Sequence, residues 1–230
     1  FWFDLRVLSQ DMIPYAAILT ELLGKMDAGN FPYDKLDIAL NINTGGFNTG
    51  LNVFIPGYDE GKMIPEFRVQ MKTSPEKLDT ALKLLGEILT GTQFDNKDRL
   101  GELLRRHQSQ VESSFKQNGY GVTLNRLESY YSRRGAFNDM IRGASYCWFL
   151  TDLVRMYDAD PTEVIIKLGN TKELLFAKAN MIAGATCIDE DFRTYAKKLP
   201  SLLSSLGNAP VTLNQWSIIP EVKNEGILTP

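Results

Sequence analysis

A single histidine, His107, limits the chemistry open to this 230-residue sequence. Zinc held by an inverted His-x-x-Glu-His or a His-Glu-x-x-His segment needs two imidazoles one helical turn apart, so that both reach one metal from one helix face. No second imidazole exists here. His107 lies in LLRRHQSQ, between Arg105, Arg106 and Gln108, where positive charge opposes a bound cation and a solvated or edge position is expected. A Ser-His-acid triad would have to use the same residue, and the sequence holds no Gly-x-Ser-x-Gly elbow. Cys147 and Cys187 stand in the apolar settings SYCWFL and AGATCID without Cys-x-x-Cys spacing. Both are expected to be buried free thiols, neither a disulfide nor a metal clip nor a nucleophile.

Three other clusters have both a chemical and a plain structural reading. The glycines of NTGGFNTG, Asn43 to Gly50, resemble a phosphate loop but lack the following Lys and Ser/Thr and precede a strand pattern. A helix end leading into an edge strand is the expected structure, and a strand carrying Asn48, Thr49 and Gly50 leaves its backbone open to an added peptide strand. YYSRRGAF joins two tyrosines to Arg133 and Arg134 and could bind a carboxylate or phosphate. The alternative is tyrosine rings packed on a helix face with the arginines in water. Asp189 to Phe192, DEDF, suits the positive end of a helix dipole and calls for no calcium.

The elements that must position these residues follow from periodicity. Phe1 to Ser9 alternates as a half-buried strand. A helix follows, capped by Asp11 and started by Pro14, with apolar residues from Ile13 to Met26 before Gly29 stops it. Tyr33 to Asn43 is a second helix. FNTGLNVFI and PEFRVQMKTS alternate around PGYDEGK, an antiparallel pair with turn chemistry between. Ser74 and Pro75 open a long helical block: Leu78 to Gly91, then from Asp95 or Asn96 to NGYG, Val122 to Tyr131, Phe137 to Met156, and Pro161 through KELLFAKA. NMIAGATC reads as a buried strand, and DEDFRTYAKKLPSLLSSLG as a closing helix interrupted near Pro200. The tail from Asn208 has linker character around a strand-like piece, Trp216 to Ile219. Antiparallel strands with helices segregated in blocks define an α+β class, a mostly antiparallel sheet covered by helices.

Composition narrows the partners. A net charge of -3 spread along the chain provides no basic stripe for nucleic acid. No apolar run reaches the roughly 20 residues that span a bilayer, so no membrane partner is expected. A soluble setting, cytoplasm or organelle matrix, is the expectation, and a start at Phe1 without Met reads as a piece cut from a longer polypeptide.

The segments IPYAAILTELLGKMDAGNFPYDKLDIALNINTGGFNTGLNVF, FRVQMKTSPEKLDTALKLLGEILTGTQFDNKDRL and NRLESYYSRRGAFNDMIRGASYCWFLTDL, in this order and spacing, resemble the pitrilysin/insulinase superfamily, with the presequence protease branch the best fit. The resemblance runs from Phe1 to about Leu206 and implies the metallopeptidase half-domain fold shared with mitochondrial processing peptidase and LuxS. In that family four similar α+β domains form two halves closing around a chamber, and the first carries the inverted zinc motif on a helix soon after its first strand. The helix in that place here, Ile13 to Met26, holds no histidine, and Glu21 is its only acidic residue. This departure fits the third domain, the first of the catalytically silent half, and excludes the zinc-bearing one. The arginine and tyrosine that assist catalysis belong in the family to the fourth domain and are not carried over to Tyr130, Tyr131, Arg133 or Arg134.

The resemblance implies a peptidase-like α+β domain over 1–207, with 208–230 leading towards a next domain. It implies no catalytic or metal residue and no cofactor in this segment, zinc in the catalytic domain of the parent, and other domains of that polypeptide plus a peptide substrate as partners. GGFNTGL is the counterpart of the family's peptide-receiving edge, which makes Gly45, Gly46, Phe47, Asn48, Thr49, Gly50 and Leu51 the substrate-chamber candidates. The implied function is a non-catalytic chamber domain of a zinc metalloendopeptidase acting on short unstructured peptides. The alternative within the superfamily is a structural homologue devoted to assembly, and outside it an unrelated α+β binding module.

Overall fold

In a computed structural model, residues 1–57, 62–208, 210–218 and 221–227 are described. Among them one antiparallel sheet is built from β1 (Trp2–Asp4), β2 (Gly46–Phe54), β3 (Ile64–Lys72) and β4 (Met181–Ile182), in the spatial order β2-β3-β1-β4. The helices are α1 (Ile13–Leu22), α2 (Tyr33–Asn43), α3 (Leu78–Gly91), α4 (Lys97–Gln117), α5 (Gly119–Ser129), α6 (Arg133–Arg142), α7 (Ala144–Ala159), α8 (Thr162–Leu175) and α9 (Asp189–Ser205). This is the expected α+β arrangement, with an unbroken run of helices between β3 and β4.

Side-chain alternation explains the sheet. Phe67 and Val69 of β3 are buried while Gln70 is exposed, and the register sets Leu51 opposite Phe67 and Thr49 opposite Val69. Phe3 of β1 sits opposite Phe67. Both rings meet Phe176 edge-on, with centroids 5.0 and 5.3 Å apart, contacts worth about 0.5–1.5 kcal/mol each beyond burial. α1 is apolar on all sides, with Tyr15, Ala16, Ala17, Ile18 and Leu19 all buried, so it can lie only in the centre of the helical layer. Asn96 caps α4 by accepting from the Arg99 amide. At the C-terminal end of α3, Lys172 Nζ donates to the carbonyls of Thr90 and Thr92 at 3.0 and 2.7 Å, a cation on the negative end of the helix dipole.

Several elements depart from the sequence reading. The first strand stops at Asp4, because the Asp4 side chain accepts from the Arg6 amide and turns Leu5–Val7 into a 3-10 helix. Asp11 does not cap α1; it accepts from Ser9 Oγ within the 3-10 turn Gln10–Met12. α1 ends at Leu22, not Met26, where Gly24 takes φ +78° under the ring of Phe47. The expected Phe137–Met156 helix is two helices, parted at Gly143, because the Asp139 carboxylate accepts the Ala144 amide and starts α7 afresh. NMIAGATC pairs over only Met181–Ile182, and Ile182 is exposed, so it is not a buried strand. α9 runs through Pro200 without interruption, held by Tyr195 and Leu202 in the core. Trp216–Ile218 forms no strand, and Ile219, like most of the PGYDEGK turn, lies outside the described residues.

Candidate peptide edge and the cavity beside it

β2 is an outer strand of the sheet, as the glycine cluster predicts. α2 ends at Asn43, the Gly45 amide donates to the Lys72 carbonyl at 2.7 Å, and Gly46 adopts φ +141° to turn the chain into the strand. Phe47, Thr49 and Leu51 alternate onto the helical side, where Thr49 Oγ1 donates to the Thr20 carbonyl at 2.8 Å. Asn48 and Gly50 therefore point to the opposite face, and a side chain added at Gly50 would meet nothing within 4 Å. One long edge of β2 pairs with β3 from Gly46 to Phe54; its other edge carries no strand among the described residues.

Beside β2 on the helical side lies a cavity of about 340 Å³. α1 contributes Ala17, Thr20 and Glu21, β2 contributes Leu51, and α4 contributes His107 and Val111. Ser114 of α4, Arg142 of α6 and Tyr146 of α7 complete its polar lining. His107, expected to be solvated or at an edge, is half-buried at the cavity, with Nε2 2.8 Å from the hydroxyl of Tyr146. Burial lowers its pKa, and burial likewise raises that of Tyr146, so both stay neutral near pH 7. Glu21 pairs with Lys25 at 3.2 Å. The sequence reading singled out Glu21 only as the one acid of its helix and missed Tyr146 and Arg142. SYCWFL reads as core, and only the packing of α7 on α4 turns Tyr146 towards His107.

In the YYSRRGAF region Arg133 and Arg134 are exposed, as the structural reading expects, but the tyrosines depart from it. Tyr131 is 70% exposed. Tyr130, with Arg126 of α5, holds a carboxylate of the chain itself, that of Glu225 in the tail. Arg126 also reaches Asp139, which is 2% exposed. Of the two cysteines, both unpaired, Cys147 is buried as expected but Cys187 is exposed, because the segment around it leaves the sheet after Ile182.

The family profile for the associated region of peptidase family M16, subfamily C, matches residues 1–153, two thirds of the chain. The chain belongs to this family. Relatives similar to it along its length include the protein HypA of Clostridium perfringens, 28% identical over 100% of this chain and 23% of the relative. Presequence protease 1, chloroplastic/mitochondrial, of Arabidopsis thaliana is 22% identical over 99% of this chain and 21% of its own length. The mitochondrial presequence protease of Xenopus laevis is 16% identical over 88% and 20%. The resemblance to the presequence protease branch therefore holds, and the chain spans about a quarter to a fifth of the curated relatives it matches. Zinc, which the resemblance implies, does not fit the residues of this chain: its one imidazole is bonded to Tyr146, and among the described residues no three His, Cys, Asp or Glu side chains converge to hold a metal. No described helix is long and apolar enough to cross a membrane.

Proposed function

We propose that the chain is a non-catalytic, chamber-forming part of a zinc metalloendopeptidase that degrades short unstructured peptides. The observation that carries this reading is the match of the whole chain to presequence proteases about four to five times its length, in a segment with one histidine. Zinc then belongs to another domain of the longer polypeptide, and the catalytic work is done there. This segment contributes wall, size exclusion and a closing surface, with residues 1–207 as the peptidase-like unit and 208–230 as the passage to a next domain. The unpaired edge of β2, Gly46 to Leu51, faces the chamber and receives peptide by strand addition, where main-chain hydrogen bonds give affinity without demanding a sequence. The words chloroplastic and mitochondrial in the relatives' names support an organelle matrix or other soluble compartment.

Zinc content and peptidase activity of the 230-residue chain, measured beside the longer polypeptide that contains it, test the reading. A zinc-free, inert chain and a zinc-loaded, active parent are expected. Activity with bound zinc in the short chain overturns it. A parent without a His-x-x-Glu-His segment also overturns it, in favour of an assembly role. Gly50→Trp in the parent tests the edge: a Cβ at Gly50 meets nothing within 4 Å, circular dichroism checks that the fold is kept, and unchanged peptide turnover would remove the edge from the proposal.

A further inference from the structure

The cavity beside β2 has walls and a floor of different chemistry. At about 340 Å³ it has room for roughly ten waters at about 30 Å³ each, and so for a long side chain. Ala17, Leu51, Val111 and Ile141 give it apolar walls. Glu21 is the one carboxylate among its lining residues. Its partner Lys25 is not part of the lining, and with side chains 43% and 36% exposed the pair is the kind that contributes little and exchanges readily. His107 and Tyr146 satisfy each other without a net charge. Arg142 also lines the cavity, but the residue is exposed and its guanidinium is turned to Asn138, Nη2 donating to Oδ1 at 2.7 Å.

We propose that this cavity takes the basic side chain, lysine or arginine, of an extended peptide lying along β2. The inference rests on the reading of β2 as a peptide-receiving edge. A strand added there alternates its side chains between the two faces of the sheet, so every second one points to the α1 side, where Thr20 and Glu21 stand directly behind Thr49 and Leu51. The methylene stem of a lysine or arginine lies against the apolar walls while its charged head reaches Glu21 and displaces Lys25. An uncharged side chain of the same length gains only the walls, and an acidic one faces Glu21.

Fluorescence polarisation with labelled decapeptides that differ at one position, lysine, norleucine or glutamate, decides the matter. The lysine peptide is expected to bind the chain roughly tenfold more tightly than the norleucine peptide, the scale of a partly desolvated charge pair. Glu21→Gln should erase that difference while leaving norleucine binding and the circular dichroism spectrum unchanged, and Lys25→Met should widen it. Equal binding of lysine and norleucine peptides, a preference for glutamate, or a lysine preference that survives Glu21→Gln overturns the cavity assignment. If Gly50→Trp still weakens all three peptides in that case, the edge reading stands alone. Absence of binding by every peptide removes both.

Discussion

Arg126 Nη1 lies 2.5 Å from Asp139 Oδ2, joining α5 to α6 with side chains only 11% and 4% exposed. The same carboxylate accepts the Ser145 hydroxyl through Oδ2 and the Ala144 amide through Oδ1, so one aspartate also starts α7. Removing one partner of a buried pair strands the other, which costs about 3–5 kcal/mol. Asp139→Asn keeps an oxygen for the Ala144 amide, and Arg126 keeps Glu225, so a loss of about 3 kcal/mol is expected in urea unfolding. Asp139→Ala should cost about 1 kcal/mol more, the value of a helix cap. Equal stability of Asp139→Asn and the native chain would show that the pair contributes nothing.

Glu225 brings pH into the same cluster. Hydrogen bonds from Arg126 and then Tyr130 hold its carboxyl at about 2, below the ordinary 4.5. A depressed folded-state value means that the stabilisation is complete above pH 4.5 and fades as pH falls towards about 2. The melting-temperature difference between the native chain and Glu225→Gln should therefore be constant from neutrality down to about 4.5 and shrink below it. A difference that does not change over that window would show that the tail carboxylate is not held by Arg126.

Gly29 and Gly91 approach so closely that a methyl group at Gly91 would lie 2.7 Å from the Gly29 nitrogen, which donates to the Gly91 carbonyl at 2.8 Å. Gly91→Ala is expected to lose about 1–3 kcal/mol by forcing the two segments apart. Gly169, within α8, has nothing within 4 Å of such a methyl, and Gly169→Ala should gain up to about 1 kcal/mol from helix propensity. Thermal unfolding of the two variants should give shifts of opposite sign.

The thiols separate by exposure. Cys187 should react with a disulfide reagent within mixing time, whereas Cys147, buried and with its pKa raised by that burial, should react only on unfolding. Two fast thiols per native chain would mean that α7 does not seat Cys147 against Phe115 and Ala144.

The β2–β3 pair, the edge position of the glycine cluster and the existence of the α1 helix were all legible in the sequence, because each follows from the period of apolar residues or from the conformational needs of glycine. The single histidine likewise excluded a paired-imidazole metal site before any coordinates. Element ends were less legible. Alternation continued past Asp4, and helical periodicity continued past Gly143, but in both places a side-chain carboxylate took a backbone amide and ended the element. Such short-range competition for an amide carries no periodic signature.

What only the tertiary structure decided is which distant groups meet. His107 and Tyr146 are 39 positions apart, and Arg126 and Glu225 are 99 apart. Periodicity places each residue on a face of its own helix and leaves open what that face will oppose. The pairing is fixed when helices pack, because burying a polar group without a partner costs more than the bond that satisfies it contributes.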